Sequence, residues 1–172
     1  MAVRPIAKMG AEVLKRRADE VTDFAAPELP ILVSDMLETM VAAHGVGLAA
    51  PQIFVPQRVV VFFVPGERNR GEEIPLTVMI NPVVTPLGPD QLDDWEACLS
   101  VPGLTGLVPR YTAIHYSWQD LKGNRFERRA ADFHARVVQH ECDHLDGMLY
   151  PRRMTDLGDL VHMSEMRHRI GA

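Results

Sequence analysis

The chain has 172 residues, of which 47% are hydrophobic and 24% are charged, and its formal net charge at pH 7 is −5. This length suits one domain, over residues 1–172, that buries a single core. The acidic balance argues against a DNA partner, and no apolar run approaches the roughly 20 residues that a membrane helix needs. Because the N-terminus lacks the apolar core of a signal peptide, we expect a cytoplasmic protein without a membrane partner.

Only two cysteines occur, Cys98 and Cys142. They are too few for a disulfide framework, and their number suits a reducing compartment. Each is therefore expected to be a free thiol.

Hydrophobic spacing predicts helices near both ends of the chain and strands between them. Apolar residues recur at helical spacing from 27 to 44, where Gly45 can end a first long helix. Runs rich in β-branched residues predict strands at 58–64, 76–81, 83–87, 105–108, 113–118 and 125–130, the last two forming a hairpin. Residues 68–73 are expected to form a polar surface loop, and a C-terminal helix is expected over 155–170. This order predicts an α+β fold in which mostly antiparallel sheets pack around a central helix.

The central helix carries a metal-binding string, HExxH, within residues 139–147, which read QHECDHLDG. At about 100° per helical residue, His140 and His144 lie about 40° apart and Glu141 lies about 60° beyond His144. Two imidazoles can therefore bind one metal ion while the carboxylate acts on a water at that ion. The spacing indicates a metallohydrolase.

The same projection makes the helix from 132 to 146 amphipathic. Its predicted buried side carries five apolar residues, Phe133, Val137, Val138, Cys142 and Leu145. Its predicted solvated face carries five polar residues, Asp132, Arg136, Gln139, Asp143 and Asp146. Both histidines lie at the border of the buried side, which predicts a buried metal site. Cys142 points away from that site and is expected to be a small buried hydrophobe.

A catalytic site of this kind has three protein ligands and one open position, so a third ligand must come from elsewhere. Tyr150 occupies the place where metzincin proteases have their third histidine. Glu165 could instead complete a thermolysin-like metallopeptidase site, and Cys98 could complete a His₂Cys site. A non-catalytic binding domain stabilised by the metal is a further alternative, although structural sites normally have four protein ligands.

Three strings occur in order along the chain, GVGLAAPQ at 45–52, EACLS at 96–100 and QHECDHLDG at 139–147. They resemble the signature motifs of the peptide deformylases, GxGLAAxQ, EGCLS and QHExDHLxG. The resemblance implies that Cys98, His140 and His144 bind a divalent metal ion, with Fe²⁺ the physiological ion and Zn²⁺, Ni²⁺ or Co²⁺ able to replace it. Ala97 stands where the family has glycine, and we expect it to alter the local fit without preventing metal binding.

The resemblance also implies an activity, the removal of the N-formyl group from the N-terminal formylmethionine of nascent polypeptides with release of formate. Glu141 would take the proton of the attacking water and return it to the departing amine. The side-chain amide of Gln52 and the backbone N–H of Leu99 would hold the oxyanion, and one such donor is typically worth about 3 kcal/mol.

Further residues are expected to contact the substrate or a partner. By the same resemblance, Val46 and Gly47 would pair their backbone with the extended peptide, as in strand addition. Candidates for a methionine pocket are Val46, Leu99, Phe133, Val137 and His140. A basic group near the C-terminus suggests contact with ribosomal RNA near the exit tunnel, through Arg152, Arg153, Arg167 and Arg169.

Overall fold

The computed structural model describes residues 2–168, with side chains through residue 166. Within this range there are two α-helices, α1 (Glu28–Ala42) and α2 (Asp132–Leu145). The strands are β1 (Gly47–Ala49), β2 (Val59–Val64), β3 (Ile74–Pro86), β4 (Gln91–Cys98), β5 (Val101–Tyr111), β6 (Ala113–Gln119), β7 (Arg125–Ala131) and β8 (Val161–His162). The fold is α+β, and both α1 and α2 lie where the sequence predicts helices.

Two antiparallel sheets form the scaffold, one with the order β1-β2-β3-β6-β7 and one with the order β4-β5-β8. The larger sheet is covered on both faces, by α2 on one side and α1 on the other. In β2, Val60 and Phe62 belong to the core shared with α2, whereas Val59 and Val61 belong to the core shared with α1. A strand covered on both faces reads as a continuous apolar run, which explains the sequence of β2.

The helix α2 is enclosed between the two sheets, and twelve of its fourteen residues are buried. The predicted solvated face is therefore wrong for Arg136, Gln139 and Asp143, because β4 and β5 cover it. The covered groups find partners there. Gln139 exchanges hydrogen bonds with the backbone of Tyr111, at 2.9 Å from Nε2 and 3.1 Å to Oε1, and Arg136 Nη1 donates to the Val108 carbonyl at 2.8 Å. A helical projection shows on which face of a helix the polar residues lie, but it does not show which strands pack against that face.

The structure differs from the strand predictions at β3 and at β4. The predicted strands 76–81 and 83–87 are one strand, β3, in which the register shifts between Ile80 and Val83. Asn81 adopts a positive φ of 50° at this bulge, and its side chain hydrogen-bonds the backbone of Val21 in both directions. The strand β4 is not predicted at all, because its first four residues are exposed and polar-rich and show no clear alternation.

The predicted C-terminal helix over 155–170 is wrong in its described part. Short 3-10 helices at Leu157–Asp159 and Met163–His168 flank the strand β8. Gly158 weakens an α-helix at its start, and β8 pairs with β5, which uses backbone groups that a helix would need. Residues 169–170 lie outside the described part. Among the described residues, no helix has the length and apolar character needed to cross a membrane.

Candidate metal centre

Cys98 is placed by the end of β4. The β4–β5 register shifts between Ala97 and Cys98, and the chain turns at once into β5. The backbone N–H of Ser100 donates to Cys98 Sγ across this turn at 3.4 Å. Ala97 itself does not adopt a positive φ, so its methyl group causes no backbone strain.

The two histidines lie one helical turn apart on α2 and meet Cys98 at the inner side of a cleft. Their rings are 5.0 Å apart between centroids and nearly perpendicular. One potential ligand atom from each of Cys98, His140 and His144 lies within 4.8 Å of the others. Cys98 Sγ is 3.4 Å from His144 Nε2, close to the roughly 3.6 Å that tetrahedral metal bonds of about 2.3 Å and 2.1 Å would require. The donor set therefore fits a metal ion.

Glu96 orients His140 from the outer side. Its Oε2 lies 2.7 Å from His140 Nδ1, which leaves Nε2 of that imidazole directed at the ligand cluster. Arg110 donates hydrogen bonds to both carboxylate oxygens of Glu96, from Nε to Oε1 at 2.8 Å and from Nη2 to Oε2 at 2.9 Å. Burial alone would raise the pKa of Glu96, but hydrogen bonds from Arg110 and His140 outweigh it and hold this pKa well below its usual range. Glu96 is therefore a fixed, ionised acceptor for His140.

The surroundings of Cys98 favour the thiolate. Burial raises the pKa of the thiol, but the imidazoles of His144 and His140 outweigh this effect and hold the pKa well below its ordinary value. A thiolate is the form of cysteine that binds metal ions. The lowered pKa of Cys98 and its short distance to His144 Nε2 therefore both favour metal binding. Cys142, in contrast, lies in the main core, and burial raises the pKa of its thiol.

Glu141 lies beside the ligand cluster and is buried. Among the described residues, no group hydrogen-bonds its Oε2, and burial raises the pKa of this carboxyl group above the ordinary value. Gly47 approaches it so closely that a Cβ at this position would collide with the Glu141 carboxyl group. An unpartnered buried carboxyl oxygen is costly unless a ligand completes it, and Glu141 lines the cleft from which such a partner could come.

Gln52 brings a polar amide to the same place from the short 3-10 helix Ala50–Ile53, which follows β1. Its Oε1 accepts from the Ala49 N–H at 2.9 Å, which fixes the amide orientation. Its Nε2 donates to Ser100 Oγ at 3.1 Å and lies 3.7 Å from Cys98 Sγ. Leu99 occupies the turn between β4 and β5, next to Cys98. The amide of Gln52 and the backbone of Leu99 thus border the centre from two different segments of the chain.

The cleft over the centre has a volume of about 680 Å³. Its walls include every residue predicted to bind substrate, Val46, Gly47, Leu99, Phe133, Val137 and His140. They also include residues that sequence reasoning did not single out, Lys8, Arg68, Trp95, Arg136 and Met163. Arg68 and Met163 come from distant segments, and no local pattern marks them. Glu96 stands in the EACLS string, and its place two residues before the cysteine was the available signal for its role.

The other candidate ligands lie elsewhere. Glu165 is exposed on the last 3-10 helix and accepts a hydrogen bond from Ser164 Oγ at 2.8 Å. It does not join the cluster of Cys98, His140 and His144. The ring of Tyr150 stacks against that of His140 at 6.4 Å between centroids, so this position supports a ligand instead of supplying one.

A Cys-His-His cluster with an unpartnered carboxyl group beside it, at the inner side of an open cleft, defines a metallohydrolase. The model of the polypeptide deformylase family matches residues 3–159. The chain is 51% identical to peptide deformylase 1 of Nitrosomonas europaea, covering 90% of this chain and 89% of that protein. It is 54% identical to peptide deformylase 1 of Bordetella pertussis, again over 90% and 89%.

Comparison with solved structures points to the same family. The Met-Ala-Ser-bound crystal structure of class I type b peptide deformylase from Acinetobacter baumannii superposes with a TM-score of 0.83 at 35% identity, covering 89% of this chain and 99% of that one. The chain therefore belongs to the polypeptide deformylase family. Its activity is that of the family, the hydrolytic removal of the N-formyl group from nascent polypeptides.

Proposed function

We propose that Cys98, His140 and His144 hold the catalytic metal ion, Fe²⁺ in the physiological enzyme, and that Zn²⁺, Ni²⁺ or Co²⁺ can occupy the same ligands. The short Sγ to Nε2 separation of 3.4 Å and the thiolate-favouring surroundings of Cys98 support this assignment. When bound, the ion supplies Lewis-acid chemistry that polarises the formyl group and activates the attacking water. A thiolate with two imidazoles suits several first-row ions, so availability decides which one is bound.

Glu141 is the proton carrier in this scheme. Its buried carboxyl group has an unpartnered oxygen and a raised pKa, both of which suit a group that takes and returns a proton. It accepts a proton as water oxygen bonds to the formyl carbon. It then gives that proton to the methionine nitrogen as the C–N bond breaks, so that formate and a free amine leave.

Gln52 and Leu99 stabilise the negative charge that develops on the formyl oxygen. The Gln52 amide is held by Ala49 and Ser100 before any substrate arrives, and the backbone N–H of Leu99 is fixed by the turn after Cys98. Donors held in place before the reaction need no reorganisation during it, and one is typically worth about 3 kcal/mol.

The substrate binds as an extended chain beside β1. This strand is an edge of the larger sheet and contributes Gly47 to the cleft wall, while Val46 precedes it. Backbone pairing at an edge strand reads no side chains, which suits an enzyme with many substrates. The methionine side chain would contact Val46, Leu99, Phe133, Val137 and His140. The Acinetobacter relative binds Met-Ala-Ser, which supports a methionine at the first position.

The observation that carries this mechanism is the unpartnered carboxyl group of Glu141 beside three metal-binding side chains. The test measures formate release from formyl-Met-Ala peptides by anaerobically prepared protein, alongside cleavage of an internal peptide bond. Formate release without internal cleavage is expected. Glu141→Ala should keep stoichiometric metal and lose turnover, whereas Cys98→Ala should lose the metal. Internal cleavage would favour a peptidase, and metal binding without either activity would favour a non-catalytic domain.

The proposed setting is the cytoplasm, with the whole chain acting as one catalytic domain on nascent chains at the ribosome and without a DNA or membrane partner. Of the four predicted ribosome-contacting arginines, Arg153 also pairs with Asp143 at 2.6 Å, and Arg152 donates to the Gly147 carbonyl at 3.4 Å. The side chain of Arg167 and all of Arg169 lie outside the described part. Removing the residues after Pro151 should weaken ribosome co-sedimentation in a salt-dependent manner, and unchanged co-sedimentation would exclude this partner.

A further inference from the structure

The N-terminal residues cross the two segments that carry the polar groups of the centre. The N–H of Ala7 donates to the Gln52 carbonyl at 2.8 Å, and the N–H of Met9 donates to the Ser100 carbonyl at 2.7 Å. Residues 7–9, here called the N-terminal strap, therefore join the 3-10 helix of Gln52 to the turn after Cys98. The contacts are backbone to backbone, so the position of the strap does not depend on the side chain between them.

That side chain, Lys8, points from the strap towards the same turn. Its Nζ donates to the Leu99 carbonyl at 2.9 Å. The carbonyl belongs to the peptide unit whose N–H is that of Ser100, and this N–H donates to Cys98 Sγ at 3.4 Å. One peptide group thus has an ammonium at its oxygen end and a thiolate-forming sulfur at its hydrogen end.

The ammonium group of Lys8 at the Leu99 carbonyl should strengthen the hydrogen bond from the Ser100 N–H to Cys98 Sγ. A cation at the carbonyl oxygen draws electrons along the peptide, which makes its N–H a stronger donor, as in other hydrogen-bond chains. Hydrogen bonds to a metal-binding sulfur change how strongly it donates to the metal and how long the metal stays bound. The other amide near this sulfur, Gln52 Nε2, is more distant at 3.7 Å, so the Ser100 N–H is the closer donor.

We propose that Lys8 is a positioning residue of the metal centre, acting on Cys98 through the Leu99–Ser100 peptide. The proposal rests on the function proposed above, in which Cys98 is a ligand. Lys8 does not touch the metal or the reacting atoms. Its role is to hold the turn and polarise the peptide, so that the sulfur keeps the orientation of a metal ligand.

The experiment compares Lys8→Met, Lys8→Arg and wild type, each loaded with Co²⁺. Methionine keeps the length of the side chain but has no charge or N–H donor, whereas arginine keeps both. Lys15→Met is the matched control, because Lys15 also lies near the N-terminus and, among the described residues, forms its ion pair with exposed Glu12. The readouts are the thiolate-to-cobalt absorption band, the rate of Co²⁺ release to a chelator, and kcat and KM for a formyl peptide.

Lys8→Met should shift the thiolate band and release Co²⁺ about 3 to 10 times faster, a smaller effect than the roughly 10- to 100-fold typical of direct ligand partners. kcat should fall while KM stays near its wild-type value, and Lys8→Arg should restore most of each property. An unchanged band and release rate in Lys8→Met would overturn the proposal. So would a rise in KM alone, because Lys8 would then be a substrate contact at the cleft wall.

The same experiment separates a wrong ligand assignment for Cys98 from a wrong role for Lys8. If wild type and Lys8→Met both lack a thiolate-to-cobalt band, Cys98 is not a ligand, and the ligand assignment fails along with the role of Lys8. If the band is present and Lys8→Met leaves it unchanged, the ligand assignment stands and only the role of Lys8 is rejected.

Discussion

Arg136 of α2 and Glu96 of β4 form a buried ion pair, with 2.8 Å between Nη1 and Oε1. The same guanidinium donates to the carbonyls of Leu92 at 2.6 Å and Val108 at 2.8 Å. One side chain therefore ties the metal-binding helix to both long strands of the smaller sheet. It also holds the carboxylate that orients His140.

Replacing Arg136 with methionine should lower the free energy of unfolding by about 1–3 kcal/mol, the usual cost of leaving a buried polar group without its partner. The substitution removes the donor to the buried Val108 carbonyl and one partner of Glu96, which keeps its bonds to Arg110. Urea unfolding of the metal-free protein measures it. Arg70→Met is the control, since Arg70 pairs with Asp132 at the surface, where a pair contributes about 0–1 kcal/mol. Equal losses in the two variants would contradict the role given to Arg136.

Glu96→Gln should weaken metal binding by about 10- to 100-fold, the usual effect of losing the partner of a metal-binding histidine. The amide keeps the volume of the carboxyl group but not its charge, so His140 is oriented less firmly. Competition with a chelator measures the affinity. Glu127→Gln is the matched control, because Glu127 lies 3.4 Å from His115 and is largely exposed. Wild-type affinity in Glu96→Gln would show that the negative charge beside His140 Nδ1 does not affect the metal.

Gly47→Ala should abolish most of the activity while leaving the fold intact. The added methyl group would collide with the carboxyl group of Glu141 and displace it from the reacting groups. Initial rates of formate release and the circular dichroism spectrum measure the two effects. Gly88→Ala provides the comparison, since a Cβ at Gly88 meets no atom of the described part of the chain within 4 Å. Full activity in Gly47→Ala would mean that Glu141 can move without loss.

Because of His134, the free energy of unfolding should decrease at acid pH. Burial, assisted by Arg128, lowers its pKa to about 4, against about 6.5 in the unfolded chain. Between these values the unfolded state binds the extra proton, so stability is fully present above pH 6.5 and declines as the pH falls. The decline is complete below about pH 4, and the difference is on the order of 3 kcal/mol.

His134→Gln should remove that part of the slope when unfolding free energies are compared from pH 7 to pH 4. Glutamine can keep a hydrogen bond to Tyr116, whose hydroxyl lies 3.0 Å from His134 Nε2. His115→Gln serves as control because His115 is only half-buried on β6. Identical slopes for wild type and His134→Gln would refute the assignment.

The sequence could predict the elements whose signals are local. The helices α1 and α2 have clear periodicity, and the spacing of His140, Glu141 and His144 follows from the geometry of one helix. Cys98 could be added because its motif is recognisable. These residues form the proposed reacting core of the centre.

What surrounds that core depends on tertiary contacts that no local pattern encodes. Arg136 reads as a solvated residue until β4 and β5 cover it, and β4 itself starts with exposed polar residues that hide its periodicity. Lys8 reaches Leu99 across 91 positions of sequence. The missed C-terminal strand β8 has the same cause, because its pairing with β5 decided its conformation.

The enclosure of α2 between two sheets has a consequence for hydrogen exchange. Since twelve of its fourteen residues are buried, partial openings at the surface should leave most of its amide groups covered. Its amide hydrogens should therefore exchange with solvent only when most of the domain unfolds. Both imidazoles and the carboxyl group of the centre would then keep their positions for as long as the native fold itself persists.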